Sequence, residues 1–164
     1  MTPEIKRILY ATDLSENARH AFSYAADLAR RYDAKITVLY VMETLSYQAE
    51  AQVRGMMGRE RWDQLRSEYN EKSTEEIKSR INDFCSRKGG EQLECRLSVD
   101  DIRVPTGTPH VEILKTSKAV SADLIVMGSH GYNLIEGSLI GGTARRIVKE
   151  SETPVLVVRL PGRD

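Results

Sequence analysis

The period of apolar and polar positions changes several times along the chain. Arg7-Ile8-Leu9-Tyr10-Ala11-Thr12 is a short apolar run closed by Asp13, the pattern of a buried strand. Ser15 is placed to cap a following helix, with Glu16 in its first turn. Ala18, Ala21, Phe22, Ala25, Leu28, Ala29 and Tyr32 then recur at three- and four-residue spacing and form one apolar face. Its alanines allow close approach to a sheet. Asp33-Ala34 turns the chain into Lys35 to Val41, a β-rich second strand. A strand, a helix and a strand within about forty residues predict a right-handed parallel crossover.

Residues 43–60 are polar and Met-rich and are interrupted by Gly55 and Gly58, so they read as a variable loop or a short surface helix. A long helix follows, with Trp62, Leu65, Tyr69, Ile77, Ile81 and Phe84 at helical spacing and Gly89-Gly90 at its end. Trp62 and Tyr69 read as its packing residues. Leu93, Cys95, Leu97 and Val99 alternate with polar residues as in a half-buried edge strand. Ile102 and Val104 fall in the opposite phase, which places a bulge or a small turn at Asp100-Asp101. Thr108-Pro109 starts a helix that is expected to run to about Ala122. Leu124 to Met127 is a fully apolar strand, a glycine-rich segment follows it, and Thr143 to Glu150 is helix-like. Pro154 to Val158 is the last strand. This alternation predicts an α/β fold: one doubly wound, mostly parallel five-stranded sheet with helices on both faces. At 164 residues it reads as a single domain spanning 1–164.

Charge narrows the function classes. Lys plus Arg and Asp plus Glu are 24 each, which gives no support for a nucleic-acid or membrane-surface protein. No apolar stretch is long enough to span a bilayer. The first residues lack the apolar core and cleavage site of a signal peptide, and Cys85 and Cys95 form no CxxC motif, so a cytoplasmic protein with reduced thiols is expected. His20, His110 and His130 lie far apart in sequence and suggest no metal site.

Five of the eleven glycines, Gly128, Gly131, Gly137, Gly141 and Gly142, are gathered after the fourth strand. Glycine gives up more conformational freedom on folding than any other residue. Such a cluster serves either a hinge or a backbone cradle for an anion. In a doubly wound sheet, ligands bind beyond the carboxyl ends of the strands. Asp13, Val41 and the glycine segment all fall there, which favours the cradle. A carboxylate at Asp13 suits ribose hydroxyls or an amine, and a strand-end backbone suits a base edge. The helix that starts near Gly142 adds its positive end, worth about 0.3–1 kcal/mol. His130 has no nucleophile paired with it by motif and reads as a loop residue that bonds locally. Arg145 and Arg146 either reach phosphates or face solvent on the last helix, and Arg146 is read as facing solvent.

The spacing Gly128-x2-Gly131-x9-Gly141-Gly142 is neither a P-loop nor a dinucleotide fingerprint. It resembles the G-x2-G-x9-G-[ST] pattern of nucleotide-binding universal stress proteins. "ILYATDLS", "ITVLYVME", "ADLIVMGSHG" and "TPVLVV" carry the same resemblance along the rest of the chain. It implies a Rossmann-like sheet of order 3-2-1-4-5 and a site for ATP, AMP or ADP, with Mg2+ or Mn2+ accompanying the nucleotide. Asp13 and the backbone of Val41 would serve adenosine, with Ala11 and Thr12 beside them. Met127 and Gly128 would line the ribose side. His130, Gly131, Gly141, Gly142, Thr143 and Ala144 would surround the phosphates. The chain departs from the pattern at Gly142, where ATP-binding members carry Ser or Thr; Thr143 comes one residue late.

Three functions fit. The first is an ATP-binding stress-response or regulatory protein without fast catalysis. The second is a slow ATP hydrolase on the same scaffold; no SGGxDS or HxGH motif is present and no lysine lies in the glycine segment. The third is a dimeric signalling protein that has lost its ligand. No catalytic residue is assigned, and the downstream protein partner is not legible. A homodimer is expected through Val155 to Val158, a short apolar run that pairs with its own copy at a sheet edge.

Overall fold

The computed structural model describes residues 2–86, 99–130 and 140–160, except the side chains of 84–86. Its elements are β1 (Arg7–Ala11), α1 (Glu16–Tyr32), β2 (Lys35–Leu39), α2 (Tyr47–Met57), α3 (Arg59–Ser86), β3 (Val99–Arg103), α4 (Pro109–Ala119), β4 (Leu124–Gly128), α5 (Gly142–Glu150) and β5 (Val155–Val158). The strands form one parallel sheet in the order β3-β2-β1-β4-β5. The α/β fold and strand order are those expected.

Strand periodicity explains why the central strands are apolar throughout: each carries two buried faces. Ile8 and Tyr10 of β1, Ile36 and Val38 of β2 and Val126 of β4 pack under Ala21, Phe22 and Ala25 of α1 and Ile77 and Ile81 of α3. The alternate residues, Leu9, Ala11, Leu39, Ile125 and Met127, pack under Ile113 of α4 and Ala144 and Ile147 of α5. Tyr10 and Phe22 meet edge to face with ring centroids 5.0 Å apart.

Local signals set the ends of the elements. Ser15 Oγ accepts the Ala18 N–H at 3.2 Å and caps α1, as its sequence implied. Asp33 closes α1 in the left-handed region with φ 51°. Asp123 Oδ2 accepts the backbone N–H groups of Lys6 and Arg7 at 2.9 and 2.8 Å, which pins the start of β1 beside β4. The phase change near Asp100 is a bulge: Val99 pairs with Ile36 and Asp101 with Thr37, so Asp100 is the extra residue.

Two expectations need correction. Of the two readings of 43–60, the structure has the short surface helix: Ser46 caps α2 by accepting the Ala49 N–H at 3.3 Å. α2 buries no residue and packs against α3. Tyr69 is not a packing residue: it is 68% exposed. α3 has 28 residues and is about 42 Å long, whereas five-residue strands span about 17 Å, so only its second half lies over the sheet. α4 stops at Ala119, and Val120 and Ser121 complete the turn. The expected strand from Leu93 to Leu97, the glycines 89 and 90, Gly131 and Cys95 lie outside the described residues.

Candidate functional site

The carboxyl ends of β1, β2 and β4 open on the α4–α5 side into a cavity of about 590 Å3. Ala11, Thr12 and Asp13 follow β1 into it. Val41 borders it beyond β2. Met127, Gly128 and His130 come from β4 and the residues after it, and Gly141, Gly142, Thr143 and Ala144 from the start of α5. The topology therefore brings together every described residue that the family resemblance assigned to the nucleotide. Gly131 lies outside the described residues. Arg145 and Arg146 do not border the cavity; both are exposed, and Arg146 Nη1 lies 3.3 Å from His110 Nε2 on α4.

Backbone geometry gives each side of the cavity its character. Beyond β2, the N–H groups of Tyr40 and Met42 donate to the carbonyls of Arg103 and Pro105 at 3.0 and 2.9 Å. Backbone groups alternate in an extended chain, so the N–H and carbonyl of Val41 face the other way. On that side β1 has already ended, and its last tie is the Thr12 N–H to the Leu39 carbonyl at 2.9 Å. A peptide donor and acceptor are thus presented to the cavity.

Asp13 is half-buried, and its Oδ1 accepts the Ser15 N–H at 2.9 Å. Oδ2 takes no part in that bond. Between them Leu14 is in the left-handed region with φ 63°, an unusual place for a bulky side chain. Thr12 Oγ1 accepts the Leu14 N–H at 3.0 Å and helps to hold that turn. Strain of this kind gathers where a chain is shaped for a site.

The opposite wall is built on close backbone approach. A Cβ on Gly128 would meet Asn17 Nδ2 at 3.0 Å and the Ala18 backbone N at 3.3 Å, so any larger residue would push the first turn of α1 back by a few tenths of an ångström. Gly141 is the N-cap of α5, and no side-chain cap bond to that helix occurs among the described residues. No acidic residue lies in that turn either. Gly142, Thr143 and Ala144 bring this uncapped turn to the cavity. Gly142 is therefore the first helical residue and not the cap. A Cβ added to it meets nothing within 4 Å. His130 Nδ1 lies 3.0 Å from Ser129 Oγ, the local bond expected of it.

The charge balance of the lining is unusual for an anion site. Asp13 and Glu43 are its carboxylates, and no Lys or Arg borders it among the described residues. No group of three or more His, Cys, Asp or Glu residues capable of holding a metal occurs among the described residues. No helix among them is long and apolar enough to cross a membrane.

Sequence reading missed Tyr40, Glu43, Pro109, Ile113 and Ser129, which also line the cavity. Tyr40 and Glu43 flank Val41 and follow from the same strand end. Pro109 and Ile113 arrive because α4 starts at the carboxyl edge, which the Thr108-Pro109 signal already placed after a strand.

A model of the universal stress protein family matches residues 4–159. The chain is 29% identical over 163 residues to universal stress protein MJ0577 of Methanocaldococcus jannaschii, covering 97% of this chain and 98% of that one. The solved structure of MJ0577 superposes with a TM-score of 0.74 at 28% identity, covering 97% and 99% of the two chains. UspA of Lactobacillus plantarum shares the fold with a TM-score of 0.70 at 22% identity, over 96% of this chain and 100% of that one. A universal stress protein solved in complex with cAMP has a TM-score of 0.54 at 19% identity, over 95% and 98%. A family match across nearly the whole length, on a sheet of the same design, makes this chain a member of the universal stress protein family.

Proposed function

We propose that the chain is one nucleotide-binding domain that holds ATP, or AMP or ADP, in the cavity at the carboxyl edge and acts as a regulatory stress-response module without fast catalysis. The observation that carries this reading is the uncapped first turn of α5, open to the same cavity as the Val41 peptide. Unsatisfied N–H groups and the positive end of a helix suit phosphate. The Val41 peptide suits the donor and acceptor edge of adenine, and Asp13 suits ribose hydroxyls. The fold is compatible with such a ligand, since a member of similar architecture has been solved with cAMP.

Divalent ions enter through the charge balance. Among the described residues the phosphates meet peptide dipoles and no basic side chain, while Asp13 and Glu43 add negative charge to the same cavity. Mg2+ or Mn2+ carried on the phosphates offsets that repulsion without a protein cage. Isothermal titration should give ATP binding with Mg2+, loss of most of it in EDTA, and weaker binding of GTP. Equal affinity for ATP and GTP would refute the role of Val41. Phosphate release should stay well below the roughly 1–10³ s⁻¹ of typical enzymes; turnover in that range would make the chain a hydrolase.

Gly142 favours a second reading, a dimeric signalling protein that has lost its ligand, because the family's hydroxyl is missing there. Mass spectrometry of small molecules released from the purified protein separates the two.

A further inference from the structure

Asn17 stands in the first turn of α1 and is 5% exposed. Its Nδ2 donates to the His130 carbonyl at 2.7 Å and lies 3.4 Å from Ser129 Oγ. Its Oδ1 is buried without a hydrogen-bond partner. A buried acceptor without a donor lowers stability, and a leucine of nearly the same shape would avoid that loss. Packing therefore does not account for the amide. What the amide provides, and leucine would not, is a donor aimed at one carbonyl.

That carbonyl sits at a junction. The Ser129 N–H donates to the Val158 carbonyl at 2.8 Å, and the Ser129 carbonyl accepts the Gly141 N–H at 2.6 Å. The pair Ser129-His130 thus links β4, β5 and the start of α5, and Asn17 ties it to α1. Asn17 itself does not border the cavity among the described residues. The base side, with Val41, Pro109 and Ile113, rests on β2 and α4, and no hydrogen bond joins Asn17 to either.

We infer that Asn17 is a positioning residue for the phosphate side of the cavity: it fixes the His130 carbonyl and, through Ser129, the Gly141 amide that leads into α5. This rests on the nucleotide reading above. It requires that the amide of Asn17 serve the extra affinity that phosphates confer and not the affinity for the nucleoside.

The test compares Asn17→Ala and Asn17→Leu with the native protein. Binding of ATP with Mg2+ and of adenosine is measured by calorimetry, and melting temperature is recorded alongside. Loss of one neutral hydrogen bond predicts about a three- to tenfold weaker ATP affinity in both variants. Adenosine affinity should stay within about twofold, and Asn17→Leu should melt no lower than Asn17→Ala. An unchanged ATP affinity in both variants would overturn the inference. Equal losses for the two ligands would overturn it as well, since the residue would then support the whole cavity. Native protein that binds neither ligand would overturn the nucleotide reading, and the inference with it.

Discussion

The Gly141 amide and the Ser129 carbonyl meet at 2.6 Å, so the two flanks of the glycine-rich segment are joined at its base. A Cβ on Gly141 would stand 3.1 Å from that same carbonyl oxygen and 3.5 Å from His130 Cα. The tight contact is the one to the carbonyl oxygen, a backbone atom already bonded to the Gly141 amide, so it has little room to yield. Gly141→Ala should therefore cost about 1–3 kcal/mol of stability, the usual range for overpacking. It should also weaken ATP binding. Urea unfolding and calorimetry on the same preparation check both; a variant as stable as the native protein would show that the junction relaxes.

Gly142 behaves in the opposite way. Open space surrounds its Cβ position, so nothing steric excludes serine. Gly142→Ser should tighten ATP binding by roughly two- to tenfold, the worth of one neutral hydrogen bond. Because Gly141 and not Gly142 is the cap, stability should rise only by the few tenths of a kcal/mol by which serine exceeds glycine inside a helix.

The edge strand β5 carries the dimer prediction. Among the described residues it pairs with β4 on one side only, and Val155, Leu156 and Val157 remain partly exposed. Edge-to-edge pairing with a second copy would satisfy that edge. Light scattering should report dimers for the native chain and monomers for Val157→Lys. Dimers that survive the lysine would refute this interface.

Tyr10 links stability to alkaline pH. Its hydroxyl donates to the Ala18 carbonyl at 2.5 Å, and burial pushes its pKa well above the ordinary phenol range. The native state keeps this proton where the unfolded chain, titrating near about pH 10, has lost it. The contribution is whole below that pH and is lost as pH rises through the native value, at up to about 1.4 kcal/mol per pH unit. Tyr10→Phe should flatten the fall of unfolding free energy between about pH 9.5 and 11.5; parallel curves for the two proteins would contradict this.

The parts of the fold that were legible are those in which one pattern has one physical cause. β1 and β4 read as apolar runs because both of their faces are buried, and the residues after them fall at the carboxyl edge by the rule of parallel sheets. Where one pattern has two causes, the sequence was silent. The phase change at Asp100 fits a bulge or a turn, and only pairing with β2 selects the bulge. Tyr69 continues the spacing of Ile77 and Ile81, but helical period carries no information on where the sheet beneath ends. Asn17 looks like any polar residue in a first helical turn, because its partners Ser129 and His130 are 112 and 113 positions away.

The helix that outruns its sheet divides the molecule energetically. α2 and the first half of α3 lean on each other through Trp62 and Arg66, which reach Glu50 Oε1 at 3.3 and 3.4 Å. The Arg66–Glu50 pair is only partly shielded from water, and pairs of this kind are worth about 1 kcal/mol or less. This arm should open by itself, with amide exchange far faster than in β1, while the sheet and its cavity stay closed. Its length and surface chemistry are therefore free to change at little cost to the core, and a chain of this design can acquire a new docking face without altering the pocket it already has.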